Sequence, residues 1–439
     1  MPLTLPKLST TDPIKYLAEI GCPPVNPAIR SSDEGVETDP FGYFLRRRLG
    51  LVPALAYAPA FSQGIWTHHH LHNMVSDDFS LADALVETHE EIGEDGKKAG
   101  CSDETIYAAQ DRQSTDKDLA AAWWAGACQI KIPQYGSIPE FLSRPWWRLL
   151  SAEEEFRTFY PQIISPIVIK PDLILYNEKQ KVIWVVDLKT CSEPTDIRAA
   201  TCPLEFQTFH YPFGLEWMRQ TGDLFGRFPD IDHDTEIAGM IHIIMQKPTI
   251  KFGASDRPYH WHAESKRSKL SGQASGGLTL PWVVTISDDR PTCVGESEDE
   301  AIANLQEAVG TKPKKIFADD PDPDRFAIRC KDWYLAQNDS LHRETEATAV
   351  NISFTDGRFV KEEDTIAEYN RTVKLIDKYA TCEPDPRCFR KRGAQLRSYG
   401  RLSPYIPFYL CPLKDWPEII VRDKFVVHHR DPVLEVETL

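Results

Sequence analysis

The stretch Ile167–Lys189, IVIKPDLILYNEKQKVIWVVDLK, constrains this chain more than any other. Two apolar, β-branched runs flank a polar break at Asn177–Lys181, which is the pattern of a β-hairpin. With the turn at Lys179–Gln180, Asp172 and Asp187 face each other with Cβ atoms roughly 5 Å apart. Lys189 lies two residues beyond Asp187 and shares its sheet face. Two carboxylates that close repel unless a cation sits between them. Hard oxygen ligands favour Mg²⁺ or Mn²⁺, and Lys189 is placed to position or polarise a water or phosphate oxygen. The plain alternative is a solvated hairpin face with an Asp–Lys ion pair. Against it, Val182–Val186 is apolar without alternation, as in a strand buried on both faces, and charges at the end of a buried strand need a reason.

The length of 439 residues accommodates two or three domains. There is no long apolar run, and the N-terminus (MPLTLPKLSTTDP) lacks a signal-peptide pattern. The expectation is an intracellular, cytoplasmic protein with no membrane contact. Ten cysteines lie scattered without CxxC spacing, which argues against a disulfide scaffold or zinc ribbon and for buried thiols. The net charge of −16 speaks against general nucleic-acid affinity, though not against a local basic groove around an acidic metal site.

Residues 1–38 are Pro-rich and polar and are expected to lie over the surface. Phe41–Leu51 reads as a short amphipathic helix with three consecutive arginines. Phe61–Glu91 reads as two helices broken near Ser76–Ser80, and 91–118 as an acidic loop or mobile insertion. Asp118–Cys128 is a strong helix former. Phe141–Phe159 carries an aromatic cluster and the acidic run Glu153–Glu155, expected to be a solvated face, the alternative being that one of the three is a further acidic ligand. The segment after Lys189 is loop-like, and Leu204–Arg219 is helical but carries Pro212, which must kink or stop it. Ile237–Phe252 is another central strand. Residues 253–280, with Lys251, Arg257, Lys266, Arg267 and Lys269 in or beside them, read either as a mobile hairpin or DNA-facing flap, or as an ordinary solvated loop. Trp282–Ile286 is a candidate strand, Glu296–Val309 a candidate helix, 311–325 a linker, 326–380 mainly helical and 381–411 irregular.

Four ordered motifs carry a resemblance. Gly64-Ile-Trp-Thr-His68 looks like GxxxH, Pro171-Asp172 like PD, Asp187-Leu188-Lys189 like (D/E)XK, and Gln207-Thr-Phe-His-Tyr211 like QxxxY. Together they resemble the PD-(D/E)XK nucleases, in particular the RecB-like branch with its phage and prophage exonucleases. The resemblance implies an α/β restriction-endonuclease-like core, a central mixed β-sheet flanked by helices, with helical N- and C-terminal parts. The implied division is 1–120, N-terminal and helical with the GxxxH motif and the acidic insertion; 121–252, the nuclease core; 253–325, the basic Gly/Ser-rich excursion and linker; and 326–439, mainly helical.

The resemblance also implies roles. His68, Asp172, Asp187 and the backbone carbonyl of Leu188 would hold one or two Mg²⁺ or Mn²⁺ ions that activate water and stabilise the leaving oxygen. Lys189 would orient the nucleophile, while Gln207 and Tyr211, on one helix face, would support the site and the nucleic-acid backbone. His69, His70 and His72 compete with His68, but the phase of Gly64 favours His68. For Gln207 and Tyr211 a core pair is the alternative. Several relatives hold an iron–sulfur cluster with one early and three late cysteines. Here Asp39 takes the early place, and only Cys388 and Cys411 stand in the late group, with Ser403 between them. Two thiolates do not make a four-cysteine site, so no cluster is expected. The implied function is a metal-dependent DNA nuclease, an exonuclease serving recombination, repair or phage DNA processing, with DNA as partner and a recombination protein or a second copy as a further one. The alternatives are a catalytically silent RecB-like module that binds DNA or protein, and a nuclease acting on RNA.

Overall fold

The computed structural model describes residues 12–428 apart from 56–58, 133, 194, 258, 266–267, 275–281, 287–292, 296–297, 310–313, 320, 342–351, 359–362, 387–388, 390, 392–396 and 399–400. Lys266, Arg267 and Cys388 lie outside the described residues. Residues 12–38 do not run over the surface as expected. Leu17, Cys22, Ile29 and Val36 are buried in the main core, and Ile29 forms a parallel bridge with Ile167. Its apolar residues are too widely spaced to show a period, yet each enters the core singly. Pro40–Tyr43 continues into a π-turn over Phe44–Arg48. The three arginines diverge. Arg46 is exposed, Arg47 pairs with Asp33 at 2.6 Å, and Arg48 is buried with Nη1 donating to the carbonyls of Tyr379 and Cys382.

Three helices follow: α1 (Pro59–Val75), α2 (Leu81–Lys98) and α3 (Asp103–Ala127). The break between α1 and α2 falls where the sequence puts it. The acidic stretch 91–118, however, is not a loop or mobile insertion but the facing ends of a helical hairpin. Ser80 and Ser102 cap α2 and α3 by accepting from the N–H groups of Asp83 and Thr105. Between the helices, Gln110 Nε2 donates to the His89 carbonyl at 2.8 Å, and Ile106 fills the space over Gly96. Polarity here marks a solvated outer face, not a lack of structure.

Next come strands β1 (Trp147–Ala152), β2 (Phe156–Thr158), β3 (Ile167–Ile169), β4 (Leu173–Asn177) and β5 (Val182–Cys191). In the β4–β5 hairpin Leu173 pairs with Val186 and Asn177 with Val182, the register expected from a turn at Lys179–Gln180. Asn177 Oδ1 accepts from the N–H groups of both Lys179 and Gln180, which sets that turn. The segment after Lys189 is not all loop, since it contains helix α4 (Thr195–Thr201). Helix α5 (Phe206–Thr221) continues past Pro212, so the proline does not stop it. Phe206, Tyr211, Leu215 and Met218 bury against the core on both sides of the proline, which offsets the one backbone bond it removes.

After β6 (Glu236–Gln246) the chain builds a second sheet from β7 (Tyr259–Ser265), β8 (Ser268–Ala274), β9 (Trp282–Ile286), β10 (Cys293–Gly295) and, past helix α6 (Glu298–Val309), β11 (Lys314–Phe317). Its order is β10-β9-β8-β7-β11, antiparallel throughout. Thus 253–280 contains a paired hairpin, one of the readings the sequence left open, and 311–325 contains a strand and the start of helix α7 (Pro323–Leu341) rather than a bare linker. Strand β12 (Ile352–Arg358) and helix α8 (Glu363–Thr381) follow.

The central sheet has the order β12-β6-β5-β4-β1. Its β5–β6 pair is parallel and the others antiparallel, so the sheet is mixed, with helices flanking it. This is the expected α/β architecture, with one addition: β12, from far along the chain, supplies an edge. Ile183 and Val185 of β5 enter the core beneath α5. Val186 and Leu188 point the other way, among Trp123 and Trp124 of α3 and Phe326 and Tyr334 of α7. The α3–α7 contact depends on Gly126, where a Cβ would meet Tyr334 Cδ2 at 2.7 Å and the Lys331 backbone at 3.1 Å. No helix among the described residues is long and apolar enough to cross a membrane.

Candidate active site

The polar ends of β4, β5 and β1 converge with helix α1 on one cleft of about 730 Å³, lined by Gly64, His68, Glu153, Lys170, Leu188, Lys189, Arg198 and Lys247 among others. Asp172 immediately precedes β4, and Asp187 lies within β5. Both are almost wholly buried.

Helix α1 brings His68 to Asp172, with Nδ1 3.1 Å from Oδ1. Gly64, one turn earlier on the same face, makes this approach possible, because a Cβ there would stand 3.3 Å from Thr190 Oγ1 on β5. Of the four nearby histidines, His68 is the one that reaches the carboxylates, whereas His69 and His72 stack on Phe79.

Glu153 completes a group of three. Ligand atoms of His68, Glu153 and Asp172 all lie within 4.8 Å of one another. The solvated face expected for the acidic run therefore does not hold at Glu153. Strand β1 carries a bulge between Leu149 and Ser151, Ala152 pairs with Leu173, and Glu153 takes a left-handed φ of 53°. That places Glu153 opposite Asp172, whose carbonyl accepts from the Glu153 N–H at 2.9 Å. Glu154 turns away, accepting from Ser151 Oγ and pairing with Arg227.

Asp187 is held differently. Lys189 Nζ lies 2.9 Å from Oδ2 and 3.1 Å from Oδ1, and Gln207 Nε2 donates to Oδ1 at 2.9 Å. Lys189 also donates to Gln207 Oε1 at 2.5 Å, so the Gln207 amide bridges the two charges. On the far side His242 of β6, fully buried, sets Nδ1 3.1 Å from Asp187 Oδ2 and Nε2 3.1 Å from Thr208 Oγ1. The N–H of Leu188 donates to Asp172 Oδ2 at 2.6 Å and ties the two acidic positions together. Tyr211 lies further along α5, with its hydroxyl 3.5 Å from Ser31 Oγ, in a neighbouring pocket.

The electrostatics divide the acids. Burial, helped by the charges of Asp187 and Glu153, holds the Asp172 carboxyl above its ordinary range despite the pull of His68. Burial also opposes charge on Asp187, but Lys189 and His242 outweigh it and push that pKa down. Glu153, stabilised by His68 and Lys170 against its burial, falls to about 2. His68 resists burial through its two carboxylate neighbours and rises to about 10. Lys189 is likewise raised by Asp187 against desolvation.

A neutral imidazole nitrogen and two carboxylates form a donor set that suits a divalent cation. Occupancy requires His68 to give up its proton, and so it releases one. A lysine hydrogen-bonded beside such a set can orient a nucleophile or meet developing negative charge. A mixed sheet presenting this combination at a hairpin end has the side chains that metal-assisted hydrolysis needs. Residues 31–323 match the model of the PD-(D/E)XK nuclease superfamily, and the chain belongs to that superfamily. Nucleases of this superfamily use divalent metal ions, which the His68, Glu153 and Asp172 donors fit. No curated protein and no solved structure matches the chain.

Asp39, at the early cysteine position, caps Pro40–Tyr43 by accepting from the Gly42 N–H at 2.9 Å and accepts from the Tyr409 hydroxyl. Cys382 and Cys411 are free thiols. Sequence reading placed Glu153 on a solvated face in preference to a ligand role, and passed over His242. For His242 a signal existed, as it is the one ionisable side chain in the apolar run Ile237–Met245. For Glu153 the signal was the pairing of β1 with β4, which no local pattern announces.

Proposed function

We propose that this chain is a metal-dependent DNA exonuclease of the RecB-like branch, related to the phage-type enzymes, and that Mg²⁺ or Mn²⁺ serves it. The observation that carries the reading is the meeting of His68, Glu153 and Asp172 beside the Asp187–Lys189–Gln207 cluster in one cleft. A divalent cation held there would supply Lewis acidity to the scissile phosphate and lower the pKa of a water. His68, Glu153 and Asp172 would hold it, with Asp187 and the Leu188 carbonyl as the further ligands the motif order implies. Lys189 aligns the attacking water. Gln207 fixes the positions of Lys189 and Asp187, and His242 braces Asp187 from behind. Lys247, whose pKa burial lowers to about 8, and Arg198 give the cleft cations for the strand. Recombination, repair or phage DNA processing is the setting this chemistry serves, in an intracellular compartment and with a recombination protein or a second copy as partner.

The test is cleavage of end-labelled linear and closed-circular DNA, with Mg²⁺, Mn²⁺ or EDTA, by wild type, Asp187→Ala and Lys189→Ala. Metal-dependent loss of linear DNA, intact circles and two inactive variants are expected. Nicked circles would make the enzyme an endonuclease. Cleavage of RNA alone would move the substrate, and no metal-dependent cleavage of any nucleic acid would overturn the reading in favour of a binding module.

A further inference from the structure

Two consecutive residues of α5 hold Asp187 from opposite sides. On one side Gln207 Nε2 donates to Oδ1 at 2.9 Å. On the other, Thr208 acts through His242, whose Nε2 lies 3.1 Å from Thr208 Oγ1 and whose Nδ1 lies 3.1 Å from Asp187 Oδ2. The imidazole is thus gripped at both nitrogens and cannot turn without breaking a bond. Thr208 is itself tied down, its hydroxyl donating to the Cys202 carbonyl at 2.6 Å. Cys202 opens the 3₁₀ turn Cys202–Leu204 before α5, and its carbonyl also accepts from the Glu205 N–H at 3.1 Å. A β-branched side chain has few choices at χ1. The Thr208 methyl is further confined by β12, lying 3.8 Å from where a Cβ on Gly357 would stand. Thr208, His242 and Asp187 are all buried, which strengthens these bonds and makes each costly to break.

A carboxylate held this firmly cannot move to suit cations of different size. Mg²⁺ demands near-octahedral geometry at about 2.0–2.1 Å, whereas Ca²⁺ accepts a flexible shell of oxygens at about 2.3–2.6 Å. Selectivity between the two therefore depends on how rigid the ligands are. We infer that Thr208, acting through His242, is a positioning residue that sets the preference of the site for Mg²⁺ over Ca²⁺. The inference rests on the proposed role of Asp187 as a metal ligand and deepens it. The donors His68, Glu153 and Asp172 suit a divalent cation, but donor type alone does not choose between these two. Lys189 is not a substitute for the buried brace. It lines the cleft, and its bonds to Asp187 compete with an entering cation, while the Thr208–His242 side keeps its bonds when the cleft fills.

The experiment measures metal binding to the full chain without nucleic acid. Mn²⁺ is followed directly by the paramagnetic resonance signal of the free ion, and Mg²⁺ and Ca²⁺ by its displacement. Wild type is compared with Thr208→Val, which keeps the shape and loses the hydroxyl, and with Thr208→Ser, which keeps the hydroxyl and loses the methyl. Circular dichroism checks that each is folded. Thr208→Val weakens Mg²⁺ about ten- to a hundredfold and Ca²⁺ by less than about threefold, so the ratio of the two affinities falls. Thr208→Ser keeps the wild-type ratio. An unchanged ratio in folded Thr208→Val, an equal fall in Thr208→Ser, or no Mn²⁺ bound by wild type overturns the inference. Should the valine variant not fold, Thr208→Cys, whose thiol is only a weak donor, is read by the same criteria. Cleavage assays in Mg²⁺ run beside the binding. A ratio that falls in the variant, with no cleavage by wild type, would remove the nuclease reading and leave the positioning role. Cleavage by wild type with a ratio indifferent to the substitution would do the reverse.

Discussion

His242 Nδ1 lies 3.1 Å from Asp187 Oδ2, inside the sheet and away from the cleft. The parallel β5–β6 register sets the two residues side by side. Asp187 thus meets Lys189 and Gln207 on one side and an imidazole on the other. If Asp187 is a metal ligand, as proposed, a group that holds it from behind is worth about 10–100-fold in metal affinity or activity. His242→Ala should shift the Mg²⁺ activation curve to higher concentration by that amount, while His242→Asn, which keeps a donor, shifts it less. Equal, unshifted curves would deny His242 a part in positioning Asp187.

Adjacent glutamates should behave differently. Glu153 stands with His68 and Asp172, and Glu154 faces Ser151 and Arg227. Glu153→Gln should lower cleavage by about a hundredfold or more and weaken Mn²⁺ binding measured by calorimetry. Glu154→Gln should change either by less than about threefold, since exposed pairs contribute little. Similar losses in both would remove Glu153 from the site.

His210 predicts an acid limb in stability. It is fully buried, with Nε2 3.0 Å from the Val168 carbonyl and Nδ1 3.1 Å from the Tyr369 hydroxyl. Burial lowers its pKa from 6.5 to about 4. The unfolded chain therefore takes up this proton first, so the stability His210 contributes is complete above about pH 6.5 and is lost as pH falls towards 4. The full loss is about 3 kcal/mol. Denaturant titrations between pH 7 and 4 should show a shallower decline in His210→Gln than in wild type.

Two glycines set different limits on helix approach. A methyl at Gly126 would press on the Lys331 backbone and the Tyr334 ring, whereas one at Gly64 would meet only the Thr190 hydroxyl. Gly126→Ala should cost about 1–3 kcal/mol and lower Tm accordingly. Gly64→Ala should leave Tm within about 2 °C of wild type but reduce cleavage, because any retreat of α1 draws His68 from Asp172. A stable, fully active Gly126→Ala would show that α3 and α7 do not pack as closely as described.

Much of the candidate site was legible along the chain because hairpins are local. Two β-branched runs and an Asn-led turn determine the register of β4 and β5, and with it the placing of Asp172, Asp187 and Lys189. Helical phase likewise joined Gly64 to His68, and one helix face carries Gln207 and Tyr211. Other features depended on partners distant in sequence. Whether 91–118 was loop or helix turned on packing between α2 and α3, not on its polarity. Pro212 was tolerated because burial on either side outweighed one backbone bond. Glu153 reached Asp172 through a bulge in β1, His242 reached Asp187 through a parallel pairing, and Tyr211 faced Ser31 rather than the metal donors. Periodicity reports which way a side chain points within its own element. Only the assembled sheet decides what stands opposite it, since that choice comes from burial and shape shared between segments far apart in the chain.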